Sequence, residues 1–163
     1  MILICYDGSP DSKAAIAHAA ELLHEEPVTV LTVWQPFIQV IARTAVGFGL
    51  TPGMVDSDEI DKVSRESAAE RAEEGAELAR KAGLQAQPCT CSQATTTARA
   101  ILAQADEIGA SAIVMGSRGL TGLKSLLIGS VSHEVIQHAD RTVIVVPSPE
   151  VAADRARQSR ERL

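Results

Sequence analysis

Four short apolar runs limit most of what this chain can fold into: ILICY (2–6), VTVLTVW (28–34), SAIVM (111–115) and TVIVVP (142–147). A strand with one wet face alternates apolar and polar residues, whereas a strand covered on both faces is apolar nearly throughout. These runs are of the second kind, and the text between them carries apolar residues at helical spacing. Strands buried on both sides and joined by helices make a mostly parallel sheet with helices on its two faces, an α/β architecture.

The punctuation supports that reading. Ser9-Pro10 after the first run fits a helix start with Ser9 as N-cap and Pro10 at the first helical position. Ala14, Ala15, Ile16, Ala19, Leu22 and Leu23 then form one stripe down to about Glu25. A second helix is expected from Glu59 to Ala82, with Glu and Arg on a solvated face and Gly83 as its cap. LQAQPCTC (84–91) alternates weakly, and Pro88 pushes it toward an edge. Helices are expected from about Thr96 to Ile108, ended by Gly109, and from Ser130 to Ala139. Residues 35–58 have no clean period and carry Gly or Pro at 47, 49, 52 and 53, so they read as a long loop. The tail from Ser148, with four arginines, reads as disordered. The expected organisation is one domain over residues 1–147 and a flexible tail over 148–163.

Composition excludes several functions. Only Tyr6, Trp34, Phe37 and Phe48 are aromatic, so the core is Ala, Val, Ile and Leu, and single strands of nucleic acid find no stacking platform. The net charge of −6, with no basic block before the last dozen residues, argues against nucleic-acid partners. MILICYDGS lacks the basic start of a signal peptide, and no run reaches the ~18 apolar residues of a membrane helix. Three cysteines without framework spacing point to reduced thiols and a cytoplasmic location.

The chemistry concentrates in MGSRGLTGLKSLLIGSVS (115–132), with four glycines, five hydroxyls, one Arg and one Lys. It is neither a P-loop, because Lys124 follows Leu123 rather than glycine, nor a Gly-x-Gly-x-x-Gly fingerprint. It still suits an anion cradle. Gly116 directly after a strand leaves room for a sugar or phosphate. Gly129, Ser130 and Ser132 stand where a helix start gathers unpaired N–H groups and a positive dipole end. The competing reading is that the glycines serve only tight turns and close helix packing. In open α/β sheets ligands bind beyond the carboxyl ends of strands where the strand order reverses, which would bring Asp7 to face this loop.

The spacing Gly116-Ser117-Arg118-Gly119 … Gly129-Ser130-Val131-Ser132 resembles the nucleotide loop of the universal stress protein family. ILICYDGS, VLTVW and TVIVVP match the same family's first, second and last strands, so the resemblance spans about residues 1–147. It implies an open five-stranded parallel sheet of order 3-2-1-4-5, Rossmann-like and of the adenine nucleotide alpha hydrolase-like kind. It also implies binding of ATP or a related adenine nucleotide with Mg²⁺, and a homodimer through the last strand. By that resemblance Asp7 contacts ribose or a metal, and Val33 offers backbone groups to adenine. Met115, Gly116, Arg118 and Gly119 line the ribose and phosphates, and Gly129, Ser130, Val131 and Ser132 hold the triphosphate. Two departures are Ser92-Gln93-Ala94-Thr95 where relatives carry Gly-x-Pro, and Ser111 where an acidic residue is common. The implied function is a nucleotide-responsive dimeric binding or signalling module of the stress response. The alternatives are a slow Mg-dependent ATPase or phosphotransferase and a nucleotide-free dimerisation module.

The remaining residues have bland readings beside the sharp ones. Asp7 could simply cap the turn before the first helix, and Lys124 could be an exposed cation rather than a phosphate ligand. Cys89 and Cys91 point the same way from a strand, but no second pair completes a metal site; Cys5 reads as core. His133 and His138 lack metal-binding spacing, and His138 suits a helix C-terminus. No residue marks a nucleophile elbow, and hydrolysis is expected to be slow.

Overall fold

Structure was obtained as a computed structural model that describes residues 1–23, 26–44, 57–93, 95–120 and 128–161. The strands are β1 (Ile2–Cys5), β2 (Val28–Trp34), β3 (Ala86–Ser92), β4 (Ala112–Gly116) and β5 (Thr142–Val146). They form one sheet of order β3-β2-β1-β4-β5. All four neighbouring pairs are parallel, in registers such as Ile4↔Val30 and Ile4↔Val114. Helices α1 (Pro10–Leu22), α2 (Phe37–Thr44), α3 (Ser57–Lys81), α4 (Thr97–Glu107), α5 (Ser130–His138) and α6 (Pro149–Glu161) complete the chain.

Apolar runs behave as their composition dictates. Leu3, Ile4, Val28, Val30, Leu31, Ile113 and Val114 are at most 1 % exposed. On one face of the sheet the core joins Ile4, Tyr6, Val30 and Val114 to Ile16 and Ala19 of α1 and to Ala76 and Ala79 of α3. On the other, Leu3, Leu31, Ile113 and Met115 pack against Ile101 of α4 and Val135 of α5. Small residues let α3 lie close. A Cβ on Gly75 would stand 2.8 Å from the Tyr6 ring and from Val30 Cγ1, so only glycine fits there.

Local signals hold in detail. Ser9 Oγ accepts from Ser12 N at 3.2 Å with Pro10 opening α1, and Thr96 Oγ1 caps α4 through Arg99 N. Gly83 and Gly109 end their helices at φ +94° and +62°. Pro88 lies in β3, an edge strand. At the Gly-x-Pro departure the turn is held by a 1 % exposed Gln93. Its Nε2 donates to Thr95 O, its Oε1 accepts from Thr97 Oγ1, and its N–H donates to Trp34 O. At the second departure, Ser111 donates to Met1 O from both N–H and Oγ, joining the starts of β4 and β1.

Two expectations need correction. Residues 35–58 are not one loop: α2 occupies Phe37–Thr44, and its start is tied to α3, since Phe37 N donates to Asp61 Oδ1 at 2.6 Å. Residues 45–56 of that stretch lie outside the described residues. The tail is helical from Pro149 to Glu161 instead of disordered. Ser148-Pro149 repeats the Ser-Pro start of α1; Ser148 Oγ accepts from Val151 N, and Val151 is 8 % exposed.

Candidate functional site

The strand order reverses at β1, whose chain leads to β2 on one side while β4 closes the other. Beyond the carboxyl ends of these three strands opens a cavity of about 460 Å³. Asp7, Val33, Met115, Gly116, Arg118, Gly119, Gly129, Ser130, Val131 and Ser132 all line it. The fold thus brings to one cavity the ten residues that the family resemblance assigns to nucleotide binding, while Lys124 lies outside the described residues.

One end of the cavity is apolar, with Leu31, Val33, Ile101 and Met115 on its wall. β1 ends at Cys5, opposite Leu31. The Leu31 carbonyl accepts from Tyr6 N at 2.8 Å, so it points toward β1. Main-chain groups of a parallel strand alternate sides, so those of Val33, two residues on, face past the end of β1.

At the other end stands the start of α5. Its first intrahelical bond runs from His133 N to Gly129 O, leaving Ser130, Val131 and Ser132 N–H without helical partners. Helices α1 and α4 satisfy such groups with Ser9 and Thr96, whereas Gly129 at the N-cap of α5 supplies no side-chain bond. Arg118 lines the same end, and its buried Nε has no hydrogen-bond partner among the described residues. Three bare N–H groups, a positive dipole end and an unsatisfied guanidinium make an anion site.

Asp7 sits between the two ends in a double role. Its Oδ1 accepts from Ser9 N at 3.0 Å and holds the turn, while Oδ2 accepts from Leu120 N at 3.3 Å and meets the glycine loop. A Cβ on Gly119 would lie 2.7 Å from Asp7 Oδ2, so glycine is what lets loop and carboxylate touch.

Two of the loop residues serve the scaffold as well. A Cβ on Gly116 would stand 2.8 Å from the Asp11 carbonyl carbon and 2.9 Å from Ser12 N. Its bareness therefore accommodates α1, the close-packing reading, rather than an approaching ligand. The Ser132 hydroxyl donates its one hydrogen to Gly116 O at 2.9 Å, so its backbone N–H is the donor left for an anion.

Sequence pattern does not mark out Asp11 or Arg71. Asp11, 4 % exposed in the first turn of α1, accepts from Ser117 Oγ and Arg118 N with the same oxygen. Arg71 reaches the cavity from α3. An acidic residue in a first helical turn reads as a dipole partner, and an Arg among Glu residues as a solvated face; only the tertiary placement distinguishes them.

The thiols are quiet. Burial, then the neighbouring Cys91 and Asp7, pushes the Cys5 thiol well up; burial, then Cys89, raises Cys91 to about 11. Beside them, burial and a 2.9 Å hydrogen bond to Glu74 push the Tyr6 phenol up.

Comparison with known proteins fits this geometry. The sequence model described as "Universal stress protein family" matches residues 1–147. The chain belongs to that family. Universal stress protein YxiE of Bacillus subtilis is 33% identical over 147 residues, covering 89% of this chain and 97% of that protein. Among solved structures, the universal stress protein of Archaeoglobus fulgidus in complex with dAMP aligns with a TM-score of 0.60 at 24% identity, over 89% of this chain and 95% of that one. A universal stress protein in complex with cAMP aligns with a TM-score of 0.63 at 19% identity, over 90% and 96%. These likenesses carry the universal stress protein fold, a five-stranded parallel sheet of order 3-2-1-4-5 with helices.

As for a metal, no group of three His, Cys, Asp or Glu suited to one exists among the described residues of this universal stress protein. Asp7 is the single carboxylate on the cavity wall among them. No helix among them is long and apolar enough to cross a membrane.

Proposed function

We propose that the cavity binds an adenine nucleotide, ATP with Mg²⁺, and that the protein is a cytoplasmic, homodimeric binding module that signals nucleotide state in the stress response. The observation that carries the reading is the start of α5, which has no side-chain cap and lies beside Arg118, whose buried Nε has no partner among the described residues. Ser130, Val131 and Ser132 N–H with Arg118 would hold phosphates, Asp7 would accept from ribose hydroxyls, and the Val33 main chain would meet the adenine edge. The apolar wall suits a purine face. Solved relatives in complex with dAMP and cAMP support an adenine nucleotide as the class.

Mg²⁺ would arrive on the phosphates, with Asp7 as the one carboxylate on the wall among the described residues; it would supply charge neutralisation when bound. Among the described residues the wall offers no other base. Hydrolysis is therefore expected at on the order of 10⁻³ s⁻¹ or below, far under the usual ~10 s⁻¹.

Two measurements test the reading. Mass spectrometry of whatever is released on denaturing freshly purified protein should show an adenine nucleotide. Calorimetry with ATP and Mg²⁺ should show one site per chain. Protein that stays free of nucleotide and gives no heat with millimolar ATP is not a nucleotide module. Turnover above about 1 s⁻¹ that disappears in Asp7→Ala makes it an enzyme.

A further inference from the structure

The cavity holds a second guanidinium that the phosphate end does not use. Arg71 is half-buried and lines the cavity from α3. Its position is set by packing. Gly75, one turn along, lets α3 press against Tyr6, and Arg71 Nε then lies 3.7 Å from the Cβ position of Gly8, the residue after Asp7. Gly8 is at φ +84°, which turns the chain beneath that side chain.

Among the described residues Arg71 makes no hydrogen bond or ion pair. The acidic side chain one turn on, Glu74, is already engaged by Tyr6 Oη at 2.9 Å and Lys13 Nζ at 3.2 Å. Among the described residues the charged side chains on the cavity wall are then Asp7, Arg118 and Arg71, one anion and two cations.

Chemistry assigns each position a partner. A carboxylate, an acceptor only, suits ribose hydroxyls, and the bare helix start suits phosphate. In dinucleotide sites a carboxylate meets a free ribose hydroxyl, whereas a nearby arginine accommodates a phosphate placed on the ribose, and this cavity carries both side chains. Building on the nucleotide reading above, we propose that Arg71 is a specificity residue. It makes this site prefer adenine nucleotides that carry a second phosphate, on the ribose 2′- or 3′-oxygen, besides the one at the 5′ end.

The test compares AMP, adenosine 2′,5′-bisphosphate and adenosine 3′,5′-bisphosphate by calorimetry at one salt concentration. The wild-type protein should bind one bisphosphate on the order of tenfold more tightly than AMP, the size of one charge-assisted Arg–phosphate contact. Which bisphosphate gains identifies the oxygen. In Arg71→Gln the ratio of bisphosphate to AMP affinity should fall to about one, and Arg71→Lys should restore part of it. Equal binding of all three ligands by the wild type, or a preference kept in Arg71→Gln, overturns the assignment and leaves the nucleotide site standing. If AMP, ATP and both bisphosphates all fail to bind a folded wild-type protein, the nucleotide reading falls and this inference with it.

Discussion

Asp11 accepts a hydrogen bond from Ser117 Oγ at 2.7 Å, joining the first turn of α1 to the loop after β4 across 106 residues of chain. The same oxygen takes the Arg118 N–H at 3.0 Å, so one buried carboxylate fixes the two residues that aim Arg118 into the cavity. Asp11→Ala strips partners from the 1 % exposed Ser117 hydroxyl and from a main-chain N–H. A loss of about 2 kcal/mol is expected, measured as a lower denaturant midpoint at unchanged slope. ATP affinity should fall as well, with Asp11→Asn keeping part of both because its carbonyl oxygen still accepts.

Gly116 and Gly119 should separate scaffold from ligand. Gly116→Ala pushes a methyl against the Asp11 and Ser12 backbone, which cannot yield, and should cost about 1–3 kcal/mol of stability. Gly119→Ala meets the far end of the Asp7 side chain at 2.7 Å. The carboxylate would be displaced rather than the fold, so thermal stability should hold while nucleotide affinity drops roughly tenfold. Calorimetry and thermal melts on both variants check the crossed pattern.

The proposed homodimer predicts a specific weakness in β5. Val146 O accepts from Ser117 N, so Val146 points inward to β4, and alternation turns the Val145 N–H outward. An edge N–H does no work in a lone chain, and a proline there is tolerated. Light scattering should give twice the 17.2 kDa chain mass for the wild type and one chain for Val145→Pro. A wild-type monomer at micromolar concentration removes the dimer.

The thiols predict a pH signature. Both Cys5 and Cys91 are raised in the folded protein above their unfolded value, so the neutral thiol is the form the fold favours. Their contribution to stability is complete below the unfolded pKa and is lost as pH climbs toward about 11, where Cys91 ionises. Denaturant midpoints should therefore decline on the alkaline side, less so in Cys91→Ser. Iodoacetamide should label native Cys91 with a rate still rising at pH 10. A plateau near the ordinary thiol value contradicts this.

Much of this molecule was legible because its signals are local. Runs such as ILICY, the Ser9-Pro10 start and the glycines that end α3 and α4 each decide their own few residues. Gly-rich spacing beside a buried strand likewise located the cavity wall. Helix α2 escaped because its apolar stripe is only eight residues long, runs on into Gly- and Pro-rich text, and draws its fixation from Asp61 on α3. The α6 helix escaped because four arginines outweighed a Ser-Pro start identical to one read correctly at α1. Arg71 depends on Gly75 packing against Tyr6, a contact between residues far apart in sequence, and no periodicity encodes it.

The reversal of strand order at β1 has a thermodynamic consequence. The cavity walls are drawn from residues 5–12, 31–35, 71, 97–101, 115–120 and 129–132, so no stretch of chain owns the site. A ligand there recognises only the fully assembled sheet, and its binding energy is added to the gap between the folded and unfolded ensembles. Occupancy would slow amide exchange in all five strands together, rather than stiffening one loop. Under the proposed nucleotide reading, the lifetime of the whole domain against proteases would follow the concentration of one small molecule.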